Sequence, residues 1–254
     1  MKRARIEVDG RAVDAVLQGN ELVTAQGERH PVGNAKFLPP VIPSNFYAAG
    51  LNYRAHIEWA NAHHGGIYKV PTQADIGYRS NNALVGGGAE IVIPSDSTGP
   101  VHFEGELVAV IGQKTKNVSE KEALDCVAGY TLGNDVSERT WQRSDRTLWR
   151  AKNADTFKPM GPFIVEGIDP MNQQIEVRIN GRTVSSYNTR GMIFGVAHYI
   201  ARMSRYLTLH PGDVIWFGCD GPTVPALEPG DLVEVLNPAI GVLANRVVAA
   251  PHTR

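Results

Sequence analysis

The sequence predicts a β-dominated α+β fold with a few helices. Twenty-six glycines and 16 prolines break the chain into short stretches. The Val- and Ile-bearing runs between them have strand length, and several alternate apolar and polar residues. At 254 residues the chain is long enough to bury a hydrophobic core without staples.

The elements follow in order. Residues 1–44 read as a small N-terminal strand-rich lobe, with partial alternation in RIEVDG and AVDAVLQGNELV and a proline-marked end at LPPVIPSN. FYAAGLNY has strand character, and RAHIEWANAHHGG predicts a short helix that carries His56 and breaks at the paired glycines. ALVGGGAEIVIP reads as a Gly-rich hairpin turn entering a strand, and FEGELVAVIG is the clearest strand of all. In SEKEALDCVAGY, Ser119 with Glu122 three residues on is a capping-box start for a helix, and GYTLGND is the strand after it. MIFGVAHYIARMSRYL puts apolar residues at 192, 193, 196, 200, 203 and 207, one buried helical face closed by Pro211-Gly212. Pro-Gly-Asp turns at 211 and 229 each launch an apolar strand, DVIWFG and DLVEVL.

Composition excludes several function classes. Lys plus Arg total 25 against 26 for Asp plus Glu, with no basic block to follow a phosphate backbone. No segment has the length of a membrane-spanning helix or the layout of a secretory signal, so a cytoplasmic location with neither nucleic-acid nor membrane partners is expected. Cys126 and Cys219 are too few for a disulfide framework and lack zinc-ligand spacing, which predicts reduced thiols.

Chemistry concentrates at FEGELVAVIG. Strand alternation puts Glu104, Glu106, Val108 and Val110 on one face, while the other carries Phe103, Leu107, Ala109 and Ile111. The strand is therefore buried on both sides, with two acids roughly 7 Å apart at the backbone near its start. Two carboxylates in a poorly solvated place need a shared proton or a cation, and a third acid favours the cation. Asp135, which ends GYTLGND, is that third acid. All-oxygen ligation suits Mg²⁺ or Mn²⁺, with Ca²⁺ also compatible, better than zinc. Taken alone, an E-x-E pair is explained equally well by two solvated acids at a strand edge. The intervening Gly105 favours a site, because it admits the close approach of another group.

Other residues say less. His56 has the intrinsic basicity of a general base, although a lone histidine is more often structural. His63 and His64 are a poor chelating pair and read as surface residues. Gly86-Gly87-Gly88 lacks the features of a phosphate cradle. Cys219, in FGCDGP, has no histidine nearby in sequence to activate it, and Lys152 sits in a stretch that reads as solvated.

GLNYRAH, FEGELVAVIG, GYTLGNDVSERTWQ, KNADTFKPMGPFIV, MIFGVAHYIARMSRYL with LHPGDVIWFG, and PGDLVEVLNPAIGVLANRV occur together and in one order. In this the chain, from about Asn45 to Val248, resembles the catalytic domain of the fumarylacetoacetate hydrolase family. The resemblance implies a mixed β-roll or β-sandwich over 45–254, a homodimer, and Glu104, Glu106 and Asp135 at the three metal-ligand positions. It implies further that Lys152 and Gln142 contact substrate and the developing oxyanion, that Arg139 assists, and that His56 is the general base. Two departures stand out. The orienting glutamate that many relatives carry three residues after the histidine is here Trp59, which leaves Glu58 or Glu234 as the partner of His56. A Gly-Thr-Pro-Ala-Gly-like loop is replaced by Gly218-Cys219-Asp220-Gly221, which puts Cys219 at the substrate-facing loop and removes a threonine hydroxyl.

The expected reaction is hydrolytic cleavage of a C–C bond in a 1,3-dioxo or acylpyruvate-type acid, as in aromatic-compound catabolism. Decarboxylation or keto–enol isomerisation of a 2-oxo-diacid, such as oxaloacetate or 2-hydroxyhepta-2,4-diene-1,7-dioate, is the alternative. A non-catalytic protein that keeps the ion and the ligand is a third reading.

Overall fold

The computed structural model describes residues 1–64 and 68–251. The N-terminal segment forms β1 (Lys2–Val8), β2 (Arg11–Gln18), β3 (Glu21–Thr24), β4 (Arg29–Pro31) and β5 (Lys36–Leu38). Strand β6 (Phe46–Ala49) then leads into helix α1 (Arg54–His64), and the paired glycines expected to break this helix, Gly65 and Gly66, lie outside the described residues. Short strands follow: β7 (Ile76–Tyr78), β8 (Leu84–Val85), β9 (Glu90–Ile93) and β10 (Val101–His102). The central strand β11 (Gly105–Ile111) is followed by α2 (Glu120–Ala123), β12 (Val127–Asn134), β13 (Ser137–Glu138) and α3 (Arg139–Ser144). The chain ends through β14 (Lys158–Val165), β15 (Gln174–Ile179), β16 (Arg182–Asn188), α4 (Val196–Tyr206), β17 (Val214–Trp216), β18 (Leu232–Asn237) and β19 (Gly241–Ala249).

Two mixed sheets carry the fold, as the β-dominated reading and the resemblance imply. The larger follows the order β4-β3-β2-β1-β14-β12-β11-β17-β6-β7, with β5 on β1 and β8 on β14; the smaller runs β16-β15-β18-β19-β9. Most pairings are antiparallel, and β17–β6, β14–β8 and β19–β9 are parallel. The N-terminal strands join the large sheet where Lys2 and Arg3 pair with Val165 and Ile164 of β14. Among the described residues no helix is long and apolar enough to cross a membrane.

Strand β11 is buried along its whole length, and its two faces serve two cores. Leu107, Ala109 and Ile111 join the large cluster with Phe103, Leu132, Ile215 and Phe217. Val108 and Val110 pack into a second cluster around Trp216, with Phe46, Val214 and Met160. The small sheet presses on the first face at Gly105, where a Cβ would stand 2.6 Å from Val177 Cγ2 and 3.1 Å from Val235 Cγ1. The glycine between the acids thus admits a neighbouring sheet.

The predicted local devices are present with some changes. Ser119 and Glu122 form the capping box, yet α2 has only four residues before a 3₁₀ turn takes over. Helix α4 starts at Val196, four residues later than its apolar pattern, because Gly195 is its extended N-cap. Gly86-Gly87-Gly88 is not a hairpin turn: β8 pairs with β14 and β9 with β19, so the run crosses between sheets. A Cβ on Gly86 would lie 2.3 Å from the Phe37 carbonyl oxygen, which accounts for a glycine there. The two Pro-Gly-Asp turns are one device used twice. Asp213 Oδ2 accepts the His210 N–H and Asp231 Oδ2 accepts the Glu228 N–H, each at 2.8 Å. Cys126 and Cys219 are buried free thiols.

Candidate active site

Pairing of β11 with β12 assembles the acids. The register sets Gly105 opposite Asn134 and Glu106 opposite Gly133. One step beyond the strand ends, Asp135 N–H donates to the Glu104 carbonyl at 2.8 Å, and Glu104 N–H donates to Asn134 Oδ1 at 3.0 Å. Gly133 leaves room for the Trp216 ring, which a Cβ would meet at 2.5 Å. The result is a trio of buried carboxylates, Glu104, Glu106 and Asp135, each offering an oxygen within 4.8 Å of the others.

Four cations surround the trio, two buried lysines and two nearly buried arginines. Arg79 grips Asp135 bidentately, Nε to Oδ1 at 3.1 Å and Nη2 to Oδ2 at 2.8 Å. Lys158 Nζ is 2.7 Å from Asp135 Oδ1 and also donates to the Val136 and Phe157 carbonyls. Lys152 bridges Glu104 Oε2 at 2.6 Å and Asp135 Oδ2 at 2.9 Å, so this lysine belongs to the buried interior rather than to a solvated stretch. Arg139 Nη2 lies 2.8 Å from Glu104 Oε1.

Their charges divide the acids. Burial raises the Asp135 carboxyl, but Arg79, Lys152 and Lys158 outweigh it and hold the group well below the usual carboxylate range. Glu104 is lowered against its burial by Lys152 and Arg139. Glu106 goes the other way: burial, Asp135 and Glu104 push it up to about 8. Burial also brings the Lys158 ammonium down to about 7, with Asp135 opposing the shift. Burial and the two glutamates raise the Cys219 thiol, which remains protonated.

These residues fit a hard divalent cation. The donors are all oxygens, and the carboxyl of Glu106 is under-compensated, with the Gly218 N–H at 2.8 Å as its hydrogen-bond donor.

Around Glu104 a second polar cluster forms. Arg139 Nη1 donates to Gln142 Oε1 at 2.6 Å, Nη2 to Thr223 Oγ1 at 3.0 Å and Nε to His102 Nδ1 at 3.3 Å. Thr223 is buried and comes from the segment that follows the altered loop. The chain therefore supplies a threonine hydroxyl at the site despite the loss of the one expected at position 219. Arg79, Lys158, His102 and Thr223 had no signal in the sequence: Arg79, His102 and Thr223 lie in or beside short segments where an apolar period is too brief to read, and Lys158 opens an otherwise apolar strand whose acidic partner is distant in sequence.

His56 is half-buried on the first turn of α1, and its Nδ1 lies 2.8 Å from the Gly221 carbonyl oxygen. A proton on its ring would help to lower Glu104, so it stands within electrostatic reach of the trio. Trp59 lies beside it, ring centroids 6.2 Å apart. Glu58 is exposed. Glu234 sits in β18 opposite Arg178 of β15, in the small sheet. The structure thus brings together Glu104, Glu106, Asp135, Lys152, Arg139, Gln142 and Cys219, sets His56 against the 218–221 loop, and gives its Nδ1 a carbonyl rather than either glutamate as partner. His63 is exposed, as expected, with Nδ1 2.8 Å from the Trp59 carbonyl; the His64 side chain lies outside the described residues.

A family model described as fumarylacetoacetate (FAA) hydrolase C-terminal matches residues 45–248. The mitochondrial oxaloacetate tautomerase Fahd2a of Rattus norvegicus is 34% identical over 250 residues, covering 94% of this chain and 77% of that protein. The 2,4-didehydro-3-deoxy-L-rhamnonate hydrolase of a Sphingomonas species is 37% identical over 216 residues, covering 81% and 73%. The crystal structure of 5-carboxymethyl-2-hydroxymuconate delta-isomerase from Mycobacterium smegmatis superposes with a TM-score of 0.87 at 33% identity, covering 99% of this chain and all of that one.

Proposed function

Because the chain belongs to the fumarylacetoacetate hydrolase family, whose members include hydrolases, isomerases and tautomerases, we propose that it is a divalent-metal-dependent enzyme that moves a proton through the enolate of a 2-oxo acid. Keto–enol tautomerisation or isomerisation of a 2-oxo-diacid is the outcome this geometry supports best. The observation that carries it is the environment of His56, whose ring is set by a neutral carbonyl instead of a carboxylate. A carbonyl stabilises an imidazolium less than a carboxylate does. A base of that kind suits removal of an already acidic C–H better than activation of water.

Glu104, Glu106 and Asp135 would hold Mg²⁺ or Mn²⁺. When bound, the cation would supply positive charge that draws electron density from the 2-oxo group. His56 takes the proton from the carbon between the carbonyls and returns it to the oxygen, so that no atom is gained or lost. Lys152 and Arg139, both charged and nearly buried, offset the developing oxyanion and a substrate carboxylate. Gln142 and Thr223 hold the Arg139 guanidinium in its plane.

Hydrolytic C–C cleavage of an acylpyruvate-type acid is a second reading, favoured by the 37% identical hydrolase. It shares the enolate, as leaving group, and adds an attacking water.

The test incubates the purified chain with Mg²⁺ or Mn²⁺ and oxaloacetate, acylpyruvates or fumarylpyruvate, following enol absorbance and product mass. His56→Gln is expected to slow proton transfer by roughly 10²- to 10⁴-fold. Cleaved product in place of isomerised product selects the hydrolytic reading. Silence on every substrate with the cation bound removes both.

A further inference from the structure

The altered loop also bears on how the base is oriented. An imidazole nitrogen 2.8 Å from a carbonyl oxygen must carry the hydrogen, because a carbonyl only accepts. Nδ1 of His56 is therefore the donor to Gly221, and Nε2 keeps the lone pair. Histidine free in water spreads its proton over both nitrogens, so one of them has to be selected for catalysis.

The loop is built to hold that carbonyl in place. Gly218 and Gly221 take φ of +81° and +74°, left-handed turns that bracket Cys219 and Asp220. Asn52, two residues before α1, is buried and clamps the loop's approach. Its Nδ2 donates to the Phe217 carbonyl at 3.1 Å and the Phe194 carbonyl at 3.2 Å, while its Oδ1 accepts the Phe194 N–H at 3.0 Å. Gly218 packs against the same segment, its would-be Cβ 3.6 Å from Asn52 Cβ and from the Gly50 carbonyl. Asp220 adds charge to the junction: its half-buried carboxyl faces the backbone N–H groups of Gly221 and His56. The Trp59 indole stands beside the imidazole, ring centroids 6.2 Å apart, at the sequence position where an orienting acid was expected.

We infer that the Gly218–Gly221 loop, through the Gly221 carbonyl, is the positioning element of His56: it fixes the Nδ1–H tautomer and leaves Nε2 as the base, in the place of an orienting glutamate. This rests on the reading of His56 as the base, but its first test needs neither substrate nor metal.

Long-range ¹H–¹⁵N correlation on the ¹⁵N-histidine-labelled full chain, with His56→Gln for assignment, reads the tautomer directly. The expected spectrum shows His56 as a single Nδ1–H tautomer; an Nε2–H tautomer or an averaged pair overturns the inference. Gly221→Ala is the second variant. A Cβ there meets nothing within 4 Å, so the change acts through the positive φ alone. It is expected to return His56 to an averaged tautomer and to lower kcat by roughly tenfold, the rate equivalent of one hydrogen bond, with KM little changed. An unchanged spectrum and kcat in a folded Gly221→Ala protein also overturns the inference. If the tautomer is found but His56→Gln retains full activity, the reading of the reaction fails while the orienting role stands.

Discussion

Glu106 differs from its two companions in how its charge is met. Among the described residues Glu104 and Asp135 have lysine or arginine within ion-pair distance, whereas Glu106 Oε2 takes an amide N–H from Gly218. Its carboxyl, pushed up to about 8 by burial, Asp135 and Glu104, holds a proton at neutral pH. A dication needs the carboxylate, so ligation at pH 7 is expected to expel close to one proton, falling to almost none above about pH 9. The sign follows from the direction of the shift: raising the pH removes the competing proton and tightens binding. Calorimetric titration of Mn²⁺ in buffers of different ionisation heat measures the number, and a heat independent of buffer at pH 7 contradicts it. At this scale the sequence was partly legible. The three acids show in it because strand alternation and a strand end are short-range rules. Arg79 and Lys158 do not, because what makes them matter is a carboxylate 56 and 23 positions away that only the folded sheet brings near.

Strand β11 shows why elements carry the chemistry so accurately. Both its faces are packed, so its register with β12 cannot slip without moving apolar residues out of two cores. Gly105 is the contact point of the second sheet, and a methyl group there would collide with Val177. Gly105→Ala is expected to cost about 1–3 kcal/mol of stability and to weaken cation binding by displacing Glu104 and Glu106; urea midpoints and metal titration check both. A variant that keeps its midpoint would mean that the small sheet yields freely. The same scale shows where pattern reading stops. The capping box marks the start of α2 correctly but carries no information on where it ends, and the α4 pattern begins early because Met192 is buried from an irregular turn, mimicking a helical face. Gly86–Gly88 was open to misreading because three glycines fit a hairpin and a sheet-to-sheet crossing equally well.

In the whole molecule, the first 44 residues are wired into the main sheet through β1 on β14, and Ala4, Ile6, Ala15 and Leu22 contribute to the large core. The strand-rich character of this segment was readable from alternation, but its partner was not, since β14 lies more than 150 residues away. Removing residues 1–44 opens the edge of β14, and exposed edges pair with other chains. Chains starting at residue 45 are expected to self-associate and to melt earlier than the full protein. Light scattering and thermal denaturation test this, and a monodisperse fragment with an unchanged midpoint would show the segment to be dispensable for the fold.

Lys152 sits between two of the acids on a buried tether, close enough to each to act as a built-in counter-ion. Mutual repulsion that would otherwise splay the cluster is thereby relieved from within the chain. If activity depends on a cation as proposed, starvation for that ion is expected to silence the protein without dismantling it, and resupply to restore it at once, with no refolding in between.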